Sequence, residues 1–225
     1  MPIHLAGVLQ QQGGGAAFDV LNDIAWDAAY WEGGSEFAAQ SYSDSDSVTT
    51  WPDEIGTDDL TGDPGVPIYD AVNASYNDAA VLAGNAASDR MTSAATYVQP
   101  GTVVIVGNFD ATGADLFDGS TARWLFDGSG GSGRLFAGTA RVTSWTVDTN
   151  PHLFVVYYNG ASSYLEVDGT QYTVGGTVGT ANLQDPWFRF GAAGAMAFVG
   201  VIQAELTSGE KSSLLSWSQG RYGTP

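Results

Sequence analysis

The sequence predicts an all-β fold, an antiparallel β-sandwich with one short C-terminal helix. Three observations carry this. The composition favours strands and tight turns, with 30 glycines in 225 residues but only one Lys and six Glu. Short apolar runs recur along the chain, separated by turn signals such as Asn159-Gly160 and Asp168-Gly169. A capping box, Thr207 followed three positions later by Glu210, marks a single credible helix near the end.

The length suits one large all-β domain and does not demand two. Residues 1–17 stand apart: "IHLAGVL" is an apolar arm and "QQQGGG" reads as a flexible joint. The sandwich is expected over residues 18–225. Strands are expected at 25–30 and 48–51 within a loop-rich, acidic stretch, then at 68–72, 79–82 and 102–109. Further strands are expected at 123–126, 134–137, 141–147, 153–158, 163–167, 170–174, 187–190 and 195–205. The helix is expected over 208–218, with Gly220 as its stop and Leu214 and Leu215 against the sandwich. "TVVIV" and "LFVVYY" are apolar at consecutive positions, so both faces of those strands should be covered.

Twenty-five acidic residues against seven basic ones give a net charge of −18. Such a surface repels phosphate backbones and argues against nucleic-acid binding. Nineteen of the acids are Asp, a composition that suits solubility in concentrated salt, where self-repulsion is screened. The absence of Cys excludes disulfides, thiol catalysis and thiolate metal sites. No stretch reaches the ~20 apolar residues of a membrane span, and the first residues lack the basic start of a secretory signal.

Four passages together carry a resemblance. "DVLNDIAWDAAYW" and "VTTWPDEIG" come first, then "PHLFVVYYNGASSYLEVDGT" and finally "FVGVIQAELTSGEKSSLLSWSQGRYG". In this order they resemble the concanavalin A-like lectin/glucanase superfamily, and within it the laminin-G-like domains of bacteriophage and archaeal-virus structural proteins. The resemblance covers residues 18–223 and implies a jelly-roll sandwich. The superfamily hosts lectins, glucanases and structural domains alike, so function has to come from the site.

Glu166 and Asp168 in "YLEVDGT" are two apart, and so would share one face of a strand. The related glucanases use Glu-x-Asp-x-(x)-Glu, and retaining hydrolysis needs two carboxyl groups about 5–5.5 Å apart. Here Thr170 and Gln171 stand where the third acid would be. Asp168-Gly169 also reads as a two-residue type I′ turn, which pairs Val167 with Thr170, Glu166 with Gln171 and Leu165 with Tyr172. Glu166 then belongs to a polar, outward-facing set, and the stretch is a hairpin with no catalytic residue.

Asp44, Asp46 and Asp53, together with Asp58, Asp59 and Asp63, gather hard oxygen ligands that suit calcium, although "SDSDSV" lacks the Gly and Glu of an EF-hand loop. No other cofactor is implied. His4 and His152 belong to no Ser-His-Asp pattern, and "DGSGGSG" lacks the Lys of a phosphate-binding loop. Most of the seven tryptophans are expected in the core. Trp31 and Tyr42, in the loop-rich stretch, are the rings expected at the surface and the candidates for stacking on a sugar.

The expectation is a non-enzymatic virion protein, a capsid decoration, turret or tail-fibre component made without a signal peptide. Ile3, Leu5, Val8 and Leu9 of the arm would dock it onto other virion proteins or sister subunits of a homo-oligomer. The sandwich would face outward, toward host-surface glycans. The alternatives are a lectin or adhesin outside any particle and, remotely, a degenerate glycoside hydrolase.

Overall fold

The computed structural model describes residues 18–31, 40–111, 113–120 and 123–225. The arm expected at 1–17, with Ile3, Leu5, Val8 and Leu9, lies outside the described residues. Two eight-stranded sheets form a sandwich. In the first, the order is Thr170–Thr173, Tyr164–Val167, His152–Tyr158, Gly101–Asn108, Ala195–Ile202, Ala79–Ala83 and Ile68–Asn73, with Ala28–Trp31 also paired to Ala195–Ile202. In the second it is Ala140–Thr146, Ser132–Phe136, Leu125–Asp127, Asp115–Asp118, Trp187–Arg189, Arg90–Thr92, Leu60–Gly62 and Thr50–Trp51. The named strands pair antiparallel throughout.

Side chains along a strand alternate between its faces, and the first sheet is apolar on both. Val103, Ile105, Phe154, Val156 and Tyr158 enter the core between the sheets. Val104, Val106, Leu153 and Val155 belong to a second core on the other face. That second core is completed by Val20, Ile24 and Trp26 from the chain start and by Leu214 and Tyr222 from the C-terminal helix. The consecutive apolar runs are thus explained by a sheet on one side and a helix with an entry segment on the other.

The helix, α1 (Ser208–Tyr222), starts at the expected capping box: Glu210 N–H donates to Thr207 Oγ1, and Thr207 N–H donates to Glu210 Oε2 at 2.7 Å. It does not stop at Gly220. It runs one turn less a residue further, to Gly223 at φ 67, whose N–H donates to Gln219 O at 3.1 Å. Tyr222 supplies the reason, being fully buried with its ring edge-on to Trp217 and Tyr76. Burying a large side chain contributes on the order of 1.5–3 kcal/mol, which outweighs the roughly 1 kcal/mol cost of a glycine inside the helix.

The 164–173 hairpin has the expected register, Glu166 opposite Gln171 and Leu165 opposite Tyr172. Its turn residues Asp168 and Gly169 have φ 48 and φ 76, as a type I′ turn requires. One expectation is corrected. Glu166 leaves the inter-sheet core but does not reach solvent: α1 covers it, and it is only 7% exposed. The chain's single lysine, Lys211, places Nζ 2.8 Å from Glu166 Oε2 and 4.9 Å from the Tyr164 ring centre. Five strands carried no recognised signal: Leu60–Gly62, Arg90–Thr92, Thr96–Tyr97, Asp115–Asp118 and Leu183–Gln184. All are short, and several hold Asp, Gly or Gln, which are poor strand formers on their own.

Because Glu166 is buried with a lone cationic partner, Lys211→Met should destabilise the fold by about 2–3 kcal/mol. Combining it with Glu166→Leu should recover most of that loss, since no unpaired charge then remains. Urea unfolding of the two variants checks this, and equal losses in both would refute it.

Candidate functional site

The residues expected at a site do not assemble into one. Trp31 is half-buried beside α1, its Nε1 donating to Tyr222 Oη at 2.7 Å and its ring edge-on to Trp217. Tyr42 packs on the other core beside Tyr69, its hydroxyl 2.7 Å from Gln40 Oε1. The three aspartates proposed for calcium each accept backbone N–H bonds. Asp44 takes Ala71, Asp46 takes Ser43, and buried Asp53 takes Ala29, Ile55 and Asp58. Their carboxylates pin loops, and among the described residues no group of three or more His, Asp or Glu side chains is placed to hold a metal ion.

A different face draws the charged chemistry together. In the second sheet Phe117, Phe126, Leu135, Phe188 and Met91 point into the core. The neighbouring positions therefore point away from it. On strand Trp187–Arg189 these are Trp187 and Arg189, opposite Asp118 and Arg90 respectively. On Leu125–Asp127 it is Asp127, opposite Arg134 on one side. A register shift between Phe126 and Asp127 sets Asp115 opposite it on the other. Four of the chain's seven basic residues, Arg90, Arg123, Arg134 and Arg189, thus gather on one face of a protein of net charge −18.

The charges on this face are fixed by pairing. Arg134 grips Asp127 with Nε 3.0 and 3.1 Å from its two oxygens and with Nη2 on Oδ2. Such two-pronged contacts set orientation as well as energy. Arg123 Nη1 lies 3.1 Å from Asp118 Oδ2, and its guanidinium sits over the Phe136 ring at 5.3 Å. Arg90 lies over the Trp187 ring at 5.4 Å, and Arg189 Nη2 is 3.6 Å from Asp110 Oδ2. Trp187 and Phe136 are half-buried, as Trp31 and Tyr42 are, and each has a guanidinium over its ring.

Asp118 and Asp127 are only 4% and 1% exposed. Burial pushes the Asp118 carboxyl up to about 6, against the pull of the Gly119 N–H and of Arg123 and with a further push from Asp115 and Asp127. Asp115 is raised for the same first reason, helped by Asp127 and opposed by three arginines. Asp127 in turn holds Arg134 above its ordinary value.

Beside Arg90 and Arg189 the face dips into an open recess of about 270 Å³, lined by Pro64, Ala87, Ser88, Arg90, Trp187 and Arg189. Between Ser88 and Arg90 in sequence, buried Asp89 does not line the recess but ties the backbone around it: its Oδ2 accepts N–H groups from Asn85 and Ala86, and its backbone oxygen accepts from Phe190 and Gly191. The sequence offered one signal for this face: "DLFD", "LFD" and "WFRF" set aromatic core residues beside charged ones.

His152 serves a separate purpose. Its Nε2 is 2.9 Å from Asp148 Oδ1 and its Nδ1 faces Asp168 Oδ2, so both ring nitrogens are taken by carboxylates and serve no nucleophile. Burial opposes the charged ring, yet Asp168 and Asp148 outweigh it and hold the pKa above its usual value. The same Asp168 accepts Leu153 N–H at 2.9 Å, tying the hairpin turn to its neighbouring strand.

No protein-family model matches the chain, and no curated protein matches it in sequence. In fold it is similar to Trypanosoma rangeli sialidase in complex with the inhibitor DANA, with TM-score 0.53, 13% identity, and 84% of this chain and 32% of that chain covered. A mutant of that sialidase displaying trans-sialidase activity gives 0.50 at 13% identity, over 88% of this chain and 33% of that one. The chain therefore spans about a third of the length of these structures. Carbohydrate binding module CBM66 from Bacillus subtilis aligns with 63% of this chain and 94% of its own length at TM-score 0.41 and 14% identity. At such identities the sialidase likeness establishes the fold alone: an all-β sandwich.

Two outcomes follow for stability. The raised Asp118 carboxyl favours the fold when protonated, a contribution complete below about 3.8 and lost as pH rises through about 6. Asp118→Asn should therefore stabilise the protein by about 2 kcal/mol at pH 8 and leave it unchanged near pH 4. For His152, folded above its unfolded pKa of ~6.5, stabilisation is complete below that value and lost as pH rises through the raised one. Thermal melts of His152→Gln should show a flatter pH dependence from neutral to alkaline pH than the unsubstituted chain.

Proposed function

We propose that this protein is a non-catalytic carbohydrate-binding sandwich, and that the outer face of the second sheet is its binding surface. The observation that carries this reading is the ladder of oriented arginines and carboxylates on this face, with the half-buried rings of Trp187 and Phe136 stacked against Arg90 and Arg123. Sugars present apolar ring faces and a rim of hydroxyls. A site for them needs a flat apolar platform and a few fixed donors and acceptors, and aromatic and charged side chains supply both. The rigid pairing of Arg134 with Asp127 means that little side-chain freedom is left to lose on binding. Among the described residues the central strands of the first sheet offer no comparable face, because the helix and entry segment cover them.

Binding is favoured over hydrolysis because the carboxylates are tied to arginines. Asp118, held near 6, stands in the range of a general acid. However, Gly119 N–H and Arg123 occupy its two oxygens. For the larger setting expected from sequence, a virion with the sandwich displayed and the arm docked, the fold and the likenesses give no support, and the arm itself lies outside the described residues. Glycan recognition by the sandwich stands without it.

The test is a glycan array followed by calorimetry on the best ligand, with and without a chelator. Trp187→Ala should weaken binding at least tenfold while leaving the circular dichroism spectrum intact, and chelation should change nothing. Loss of binding on substituting Trp31 or Tyr42, with Trp187→Ala silent, would move the site elsewhere and refute this one.

A further inference from the structure

The recess beside Trp187 differs from the rest of the face in one respect: its lining includes two arginines and no carboxylate. Arg90 and Arg189 are direct cross-strand partners. Side chains so placed have Cβ atoms about 4.5–5.5 Å apart, and like charges there repel. Each has an acid at its back, Asp63 3.4 Å from Arg90 Nη2 and Asp110 3.6 Å from Arg189 Nη2. Neither acid lines the recess.

Donors are left over. Arginine has five N–H groups, and Arg90 spends Nε and Nη2 on Asp63. Arg189 Nε is buried without a hydrogen-bond partner among the described residues, as is Oδ1 of its own partner Asp110, so this pair is incompletely satisfied. Exposed Ser88 stands at the rim and Trp187 forms one wall. A volume of about 270 Å³ is just below the ~300 Å³ at which pockets begin to hold drug-sized ligands, and so suits a single sugar residue.

Resting on the glycan-binding reading, we infer that this recess takes an acidic sugar residue, with its anionic group, carboxylate or sulfate, between Arg90 and Arg189 and its ring against Trp187. The anion accepts from the guanidinium groups that reach the recess and relieves their mutual repulsion. Oriented guanidinium forks match planar or tetrahedral oxyanions in a way that neutral hydroxyls do not. The net charge of −18 repels acidic glycans at long range, so selectivity has to come from this local arrangement.

The test compares three sets of oligosaccharides of matched length by calorimetry at 0.15 M salt: oligogalacturonates, sulfated galactose oligomers and neutral galactose oligomers. One acidic set should bind at least tenfold tighter than the neutral set, and which one does so identifies the anion. In Arg90→Gln, a change at a solvent-accessible side chain, the acidic-to-neutral ratio should fall toward one. The same fall is expected in Arg189→Gln/Asp110→Asn, which removes both charges of the pair so that no unpaired carboxylate threatens the fold. Thermal melts confirm that each variant is folded. Equal binding of acidic and neutral sets, or a preference that survives in both variants, overturns the acidic-sugar inference and leaves the glycan reading standing. Silence across all three sets overturns the acidic-sugar inference, and a glycan array that is silent as well overturns both.

Discussion

Burial of the first sheet on both of its faces is the constraint from which the rest of the architecture follows. The central strands Gly101–Asn108, His152–Tyr158 and Ala195–Ile202 are buried along their whole lengths. Leaving either side open would expose a large continuous apolar surface to water. One side is closed by the second sheet, through Phe117, Phe126, Trp124 and Trp51. The other needs a cover that the sheet itself cannot supply, and both ends of the domain provide it, with Trp26 and Leu214 meeting in one cluster. Glu166 lies under the same cover, so the polar edge of that cluster is neutralised by the only lysine in the chain.

A consequence of that closure is that the outer face of the second sheet is where polar chemistry can collect. Its positions are occupied by charges in alternation with core aromatics, and the charges are organised rather than scattered. Asp127 answers Arg134, Asp118 answers Arg123, and Asp110 answers Arg189. Burial removes water from the carboxylates, which strengthens each pair and raises the acids that are less fully compensated. The same burial that stabilises the ladder also holds its donors in place for a ligand. Fold and proposed recognition therefore draw on one set of side chains.

The hairpin at 164–173 shows where sequence reasoning holds and where it stops. Period-two alternation and an Asp-Gly turn were enough to fix the register down to individual pairs, because both are local properties of the backbone. Whether the outward residues of that hairpin meet water is not local. It depends on a helix 45 residues away, counted from Glu166 to Lys211, and the sequence around Glu166 carries no trace of it. The end of α1 is similar. Its start is written in the Thr207–Glu210 box, but its stop is set by the burial of Tyr222 against Trp217 and Tyr76 and not by the first glycine encountered.

The candidate face follows the same division. Strands Arg90–Thr92 and Asp115–Asp118 supply Arg90, Asp115 and Asp118, yet they are too short and too polar to register as strands. They exist because longer neighbours and a shared aromatic core hold them in the sheet. The sequence by itself determined the all-β class, the capped helix, the hairpin register and the doubly buried strands, since each is a pattern of neighbours along the chain. Only the tertiary structure decided that Trp31 packs beside a helix while Trp187 meets Arg90 on the outer face of the second sheet. It alone brought Arg90 beside Arg189 from positions 99 residues apart. Those outcomes depend on which strands pair and which face is covered, and pairing between distant segments is set by the packing of the whole core.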